Sequence, residues 1–105
     1  MLIVTTFNVP GRNINQTLGL VKGNTIRARH VGKDIIAALR AVVGGELHEY
    51  TKLLSQSREQ AMERLIAQAN GLNADAVINI RFSTAMVVQA ASEILVYGTA
   101  VKFNK

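Results

Sequence analysis

Apolar and polar positions along the chain change period several times. Residues 2–6 (Leu-Ile-Val-Thr-Thr) are apolar and largely β-branched and predict a short strand. Pro10-Gly11 marks a turn, because proline presets φ and glycine accepts a positive one. From Ile14 to Lys22, and again from Thr25 to Arg29, the pattern is extended. Gly23-Asn24 between these stretches predicts a tight hairpin.

The period then becomes helical. Ile35, Ile36, Leu39, Val42 and Val43 form one apolar stripe over Lys33 to Val43. Asp34 sits in the first turn, where the helix dipole favours an acid, and Gly44-Gly45 ends the segment. A longer helix is predicted from Glu46 to Asn70. Its buried stripe is Leu54, Ala61, Leu65, Ala69 and Leu72, with Leu53, Met62 and Ile66 beside it. Ser57-Arg-Glu-Gln60 reads as a capping box and allows a break near Ser55. Gly71 or Asn73 supplies the left-handed residue that closes the helix.

Residues 76–88 and 93–103 return to strand patterning, and the second of these hardly alternates. One of its faces offers Ile94, Val96, Gly98 and Ala100; the other offers Leu95, Tyr97, Val101 and Phe103. A strand with one wet face carries polar residues there. The expected architecture is α+β, an antiparallel sheet of four to five strands packed on two helices in the order ββααββ. Two helices cover one sheet face, so the second apolar face needs another cover. A second copy of the chain is the favoured cover, since large exposed apolar patches are uncommon in monomers. The alternative is the chain's own N-terminal segment.

Composition narrows the picture. A chain of 105 residues has room for one domain, expected to span residues 1–105. Hydrophobic residues make up 49 % but aromatics only 5 %, without tryptophan, so the core is aliphatic. The absence of cysteine excludes disulfides, thiolate metal sites and cysteine nucleophiles, and fits a reducing compartment. No basic n-region precedes the first apolar run, and no apolar segment approaches the ~20 residues of a membrane helix. The expected location is the cytoplasm. The net charge of +5 is scattered, with one local cluster at Arg27, Arg29 and Lys33 and no interleaved aromatics. A nucleic-acid surface shows a denser stripe, so nucleic acid is not an expected partner.

Candidate chemistry is sparse. His30 and His48 are the two histidines, and neither belongs to a zinc-binding spacing. A mixed divalent-metal site of His48 with Glu46, joined by His30 from a neighbour, is one candidate. Another is the row Glu46, Tyr50, Leu54, Arg58 and Ala61, spaced to share one helix face. Charged residues on an apolar stripe are out of place, so Arg58 is expected to meet a carboxylate such as Glu46, Asp34 or Glu93. The plain interpretation is an ion-paired clamp; the functional one is a ligand site of Glu46, Tyr50 and Arg58. Asn79, Arg81 and Ser83 share a strand face; the plain interpretation is a solvated sheet face, the functional one a wet rim or a channel lining in the assembly. No G-x-S-x-G and no phosphate loop is present, so the expected role is non-enzymatic binding or scaffolding with an unknown ligand. The alternatives are metal binding at the mixed site and an enzyme using Glu46, Tyr50 and Arg58 at a subunit boundary.

Taken in order, several pieces form a pattern. They are Thr5-Thr6, Gly11, Gly19-Leu-Val-Lys-Gly23, Asp34 with Arg40, Gly44-Gly45, then Tyr50, Arg58 and Ala61. Ala74-Asp-Ala-Val77 and Tyr97-Gly-Thr-Ala-Val101 close the series. Over essentially the whole chain this resembles the YbjQ-like family of small uncharacterised proteins, which carries a heavy-metal-binding label. The resemblance implies a dodecin-like α+β subunit that assembles with itself into a ring, a pentamer. In two places this chain departs from the family pattern: Asn73 and Asn79 stand where glycine is usual. Asparagine is the next most tolerant residue of a left-handed backbone.

Overall fold

The computed structural model describes residues 1–28, 48–88 and 91–104. Within them the chain forms β1 (Leu2–Ile3), β2 (Ile14–Ala28), α1 (His48–Gly71), β3 (Ala76–Val88) and β4 (Ala91–Phe103). The helix expected over 33–43 lies outside the described residues. The four strands make one sheet in the order β1-β3-β4-β2.

The sheet is mixed, and this corrects the expectation of an antiparallel one. β3 pairs antiparallel with β4, and β4 with β2, but β1 runs parallel to β3 through Leu2↔Ala76 and Ile3↔Val77. Parallel neighbours need a long crossover. The chain from residue 4 to residue 75, which includes β2 and α1, supplies it.

The Pro10-Gly11 turn forms as its residues dictate. Arg12 N–H donates to the Val9 carbonyl at 3.0 Å, with Gly11 at a φ of 81°. The hairpin expected at Gly23-Asn24 does not form. β2 runs through these residues and stays paired with β4 from Ile14↔Phe103 to Ala28↔Ala91. Gly23 has a different task. A Cβ there would run into the Ala61 carbonyl and come within 2.5 Å of the Leu65 amide nitrogen, so the missing side chain lets α1 lie directly on the strand.

Helix α1 is continuous through Ser55, without the break that a capping box allowed. Ser57 is buried rather than exposed at a helix start, and its carbonyl accepts a bond from the buried Thr25 hydroxyl at 3.2 Å. The helix ends as expected. Asn73 takes a φ of 58°, with Ala74 N–H bonded to the Ala69 carbonyl and Asn73 N–H to that of Asn70. This is a Schellman closure with asparagine in the left-handed position. Asp75 then ties the exit to β4, its amide donating to Val101 O and its carboxylate accepting from Phe103 N–H.

The helix packs chiefly on β2 and less on β4. Beneath it Val21, Ala61, Leu65, Ala69, Val77, Val96 and Ala100 are wholly buried, joined by Ile80 and Ile94. A second cluster lies on the opposite sheet face, where Ala76, Ile78, Val101 and Phe103 are covered by Val4 and Val9. The N-terminal segment therefore does cover part of the second face. It covers one end.

One backbone irregularity changes which β3 positions face each cluster. The register between β3 and β4 shifts between Ile78 and Arg81, and Asn79 within the shift has a φ of 55°. This bulge switches the side-chain parity, so Ile78 packs in the outer cluster while Ile80 packs beneath the helix. The Asn79 amide donates to Thr6 O at 2.9 Å and the Ile80 amide to Val4 O at 3.1 Å, holding the N-terminal segment along the strand. An L-residue in this conformation costs about 1–2 kcal/mol, with asparagine among the least penalised. Asn79→Ala is therefore expected to lower the unfolding free energy by about 1 kcal/mol, and Asn79→Gly to leave it unchanged or raise it. Urea unfolding followed by circular dichroism reads both. Equal stability of the alanine and glycine variants would contradict this account of the bulge.

Candidate functional site

The residues singled out in the sequence divide sharply. Glu46 and His30 lie outside the described residues. His48 and Tyr50 belong to the first turn of α1, and their side chains are likewise outside the description. Arg58 is described, and it is exposed rather than buried among carboxylates. Its guanidinium donates to Ser55 Oγ at 3.4 Å, while the Glu93 carboxylate accepts from Asn24 Nδ2 at 3.1 Å. The row from Leu54 to Ala61 does enter the core at its ends, with Leu54 half-buried and Ala61 fully buried. Arg58 sits at the margin of that stripe, and its long side chain reaches solvent.

The strand residues Asn79, Arg81 and Ser83 do not form one rim, because the bulge at Asn79 breaks their alternation. Arg81 has a structural task. Its Nη1 donates to the carbonyls of Thr5 at 2.9 Å and Ile80 at 2.8 Å, latching the N-terminal segment to β3.

A groove runs along the outer surface of α1, lined by Lys52, Ser55, Gln56, Glu59, Gln60 and Glu63. Glu59 and Glu63 stand one helical turn apart, and among the described residues no third ligating side chain is brought to them. Among the described residues no three His, Cys, Asp or Glu side chains come together as a metal site would need. A chain without cysteine also lacks the thiolate that soft metals prefer. The described donor set does not fit a heavy-metal centre.

Among the described residues, exposed apolar side chains gather on the outer sheet face beyond the reach of Val4 and Val9. There the register sets Leu20 across from Thr99, Lys22 from Tyr97, Asn24 from Leu95 and Ile26 from Glu93. Leu20 is 65 % exposed and Ile26 57 %, with Tyr97 at 38 %. Leu95 is half-buried between them. The sequence signalled the β4 half of this patch through its lack of alternation. The β2 half was hidden by the hairpin assumed at Gly23-Asn24.

A third group escaped sequence reasoning. Arg64 and Gln68, a helical turn apart at the side of the Ala61–Leu65 stripe, both bond to the β2 backbone. Gln68 Oε1 accepts from Lys22 N–H at 2.7 Å, and Arg64 Nη1 donates to the Asn24 carbonyl at 2.5 Å. Their only sequence signal is a polar pair flanking a buried stripe.

A family model described as "Putative heavy-metal-binding" matches residues 1–104. The chain belongs to the YbjQ family. Relatives agree with that assignment along their whole length. A UPF0145 protein of Methanosarcina acetivorans is 54 % identical over 102 residues, covering 97 % of this chain and 96 % of its own. One from Psychromonas ingrahamii is 46 % identical over 105 residues, covering 100 % of both. Among solved structures, a protein of unknown function from Pediococcus pentosaceus aligns with a TM-score of 0.69 at 19 % identity, covering 99 % of this chain and 98 % of its own. At that identity the likeness speaks for the fold alone. No helix among the described residues is long and apolar enough to cross a membrane.

Proposed function

We propose that this YbjQ-family chain is the subunit of a cytoplasmic homo-oligomer with a non-enzymatic binding or scaffold role. Its outer sheet face between Leu20 and Ile26 is the surface on which a neighbouring copy sits. One observation carries the proposal: Leu20, Leu95, Tyr97 and Ile26 lie on one face of two paired strands, and three of the four are well exposed. Removing such surface from water yields roughly 25 cal/mol per Å² of apolar area. The covering N-terminal segment is already committed at the other end, against Ile78, Val101 and Phe103.

The family resemblance adds a closed ring of five as the form of the assembly. A cysteine-free chain suits a reducing compartment. Metal binding, the activity in the family's description, finds no supporting cluster among the described residues and takes second place.

Light scattering coupled to size exclusion tests the proposal. The natural chain is expected to elute as a single species several times the 11.4 kDa of one subunit. Leu20→Asp with Ile26→Asp is expected to give monomers with an unchanged far-ultraviolet spectrum, because both side chains stand outside the core. A natural chain that is a monodisperse monomer at micromolar concentration would sink the idea. So would a doubly substituted chain that keeps the full assembly.

A further inference from the structure

An open sheet has two edges, and a long edge strand is a template for unwanted pairing. Among the described residues strand β2 is such an edge, 15 residues long, with β4 on one side and no strand on the other. In an antiparallel ladder the amide and carbonyl of alternate residues point together away from the partner strand. Lys22 and Asn24 are two successive residues of this kind, since their groups bond to the helix instead of β4.

Gln68 occupies the Lys22 amide and Arg64 the Asn24 carbonyl. An incoming strand needs the amide and the carbonyl of the same residue to form a closed hydrogen-bonded pair. One group of each couple is taken at both positions, so the ladder is interrupted in its middle. Nearer the N-terminus the edge is irregular as well. Register shifts fall between Ile14 and Gln16 and between Thr17 and Gly19, with Gly19 at a φ of 127°. Bulges twist an edge away from flat pairing. Lys22 also places a charge at the centre of the edge, a further deterrent.

We propose that Arg64 and Gln68 are edge guards: they reach past β2 from α1 and close that side of the sheet to strand addition. The close seat that Gly23 gives the helix is what brings both side chains within reach. The inference is independent of the oligomer proposed above, which uses the outer face. Loss of an outer-face contact makes the particle smaller, whereas loss of the guards makes it larger.

The test is the double variant Arg64→Ala with Gln68→Ala, compared with the natural chain at equal helicity. Hydrogen exchange at the Lys22 amide is expected to speed up several-fold once its acceptor is gone. Over days of incubation the variant is expected to form thioflavin-positive species larger than the natural particle. Arg64→Lys, which keeps a donor for the Asn24 carbonyl, is expected to behave as the natural chain. Faster exchange at Lys22 with no change in particle size and no thioflavin signal would overturn the proposal. Unchanged exchange would overturn it too. If the double variant loses helicity, Gln68→Ala alone carries the Lys22 exchange readout, and Arg64→Ala and Gln68→Ala singly carry the particle-size and thioflavin readouts, each removing one bond.

Discussion

Replacing Gly23 by alanine is expected to cost more than about 3 kcal/mol of stability, beyond the usual range for one added methyl group. The new Cβ would collide with the Ala61 carbonyl and fall 2.5 Å from the Leu65 nitrogen and 3.0 Å from Arg64 Cβ. The first two of these neighbours are helix backbone, which has no rotamer to turn away. Relief requires α1 to lift from β2, and that would expose Val21, Leu65, Ala69 and Val96, all wholly buried. Lifting would also part the Thr25 hydroxyl from the Ser57 carbonyl. Gly71→Ala is the control. Nothing lies within 4 Å of a Cβ there, so that variant is expected to match the natural chain or gain about 0.4–1 kcal/mol. Urea unfolding of the two variants side by side makes the comparison, and a Gly23→Ala loss below about 1 kcal/mol would contradict the close-approach account.

The same glycine shows where reading a sequence stops. Gly-Asn between two extended runs satisfies the local chemistry of a hairpin. It equally satisfies a strand that must admit a helix backbone, and the choice depends on Ala61, 38 positions away. Signals contained within one element were legible. The stripe from Leu54 to Ala69 led to a helix over 46–70, against the observed His48–Gly71, and Asn73 closes it in the left-handed conformation expected. Asn79 was noticed only as a departure from a usual glycine; the positive φ explains why glycine is usual.

Long-range pairing was not legible. The parallel seat of β1 beside β3, and the division of the outer face between the N-terminal segment and an exposed patch, both depend on contacts some 70 residues apart. Of the candidate ligand row, Arg58 is exposed for a geometric reason. Three residues before Ala61 on a helix is a rotation of about 60°, which reaches the margin of the buried stripe and not its centre. Arg64, on the other flank, lies at the same angle and finds the β2 backbone.

The helix seam also sets the expected outcome of Leu65→Ala. Among the described residues Leu65 is the largest wholly buried side chain, and its neighbours along the seam are Ser57, Ala61 and Ala69. Those small residues bring α1 close to the sheet, and Leu65 supplies most of the apolar volume between the layers. Leucine-to-alanine changes in cores cost about 2–5 kcal/mol, more where the surroundings cannot close the cavity. Here they cannot close it easily. The helix already touches β2 at Gly23, so it has no further distance to settle, and Val21 and Val96 are stiff β-branched residues. The expected loss is therefore near the top of the range, about 4 kcal/mol. Leu65→Met, which conserves volume, is expected to cost less than about 1.5 kcal/mol. Ile66→Ala, at a half-buried neighbouring position, should fall between them. Chemical unfolding of the three variants gives the ranking. A Leu65→Ala loss below about 2 kcal/mol would mean that the helix can sink into the vacated space, and the contact at Gly23 would then not limit its approach.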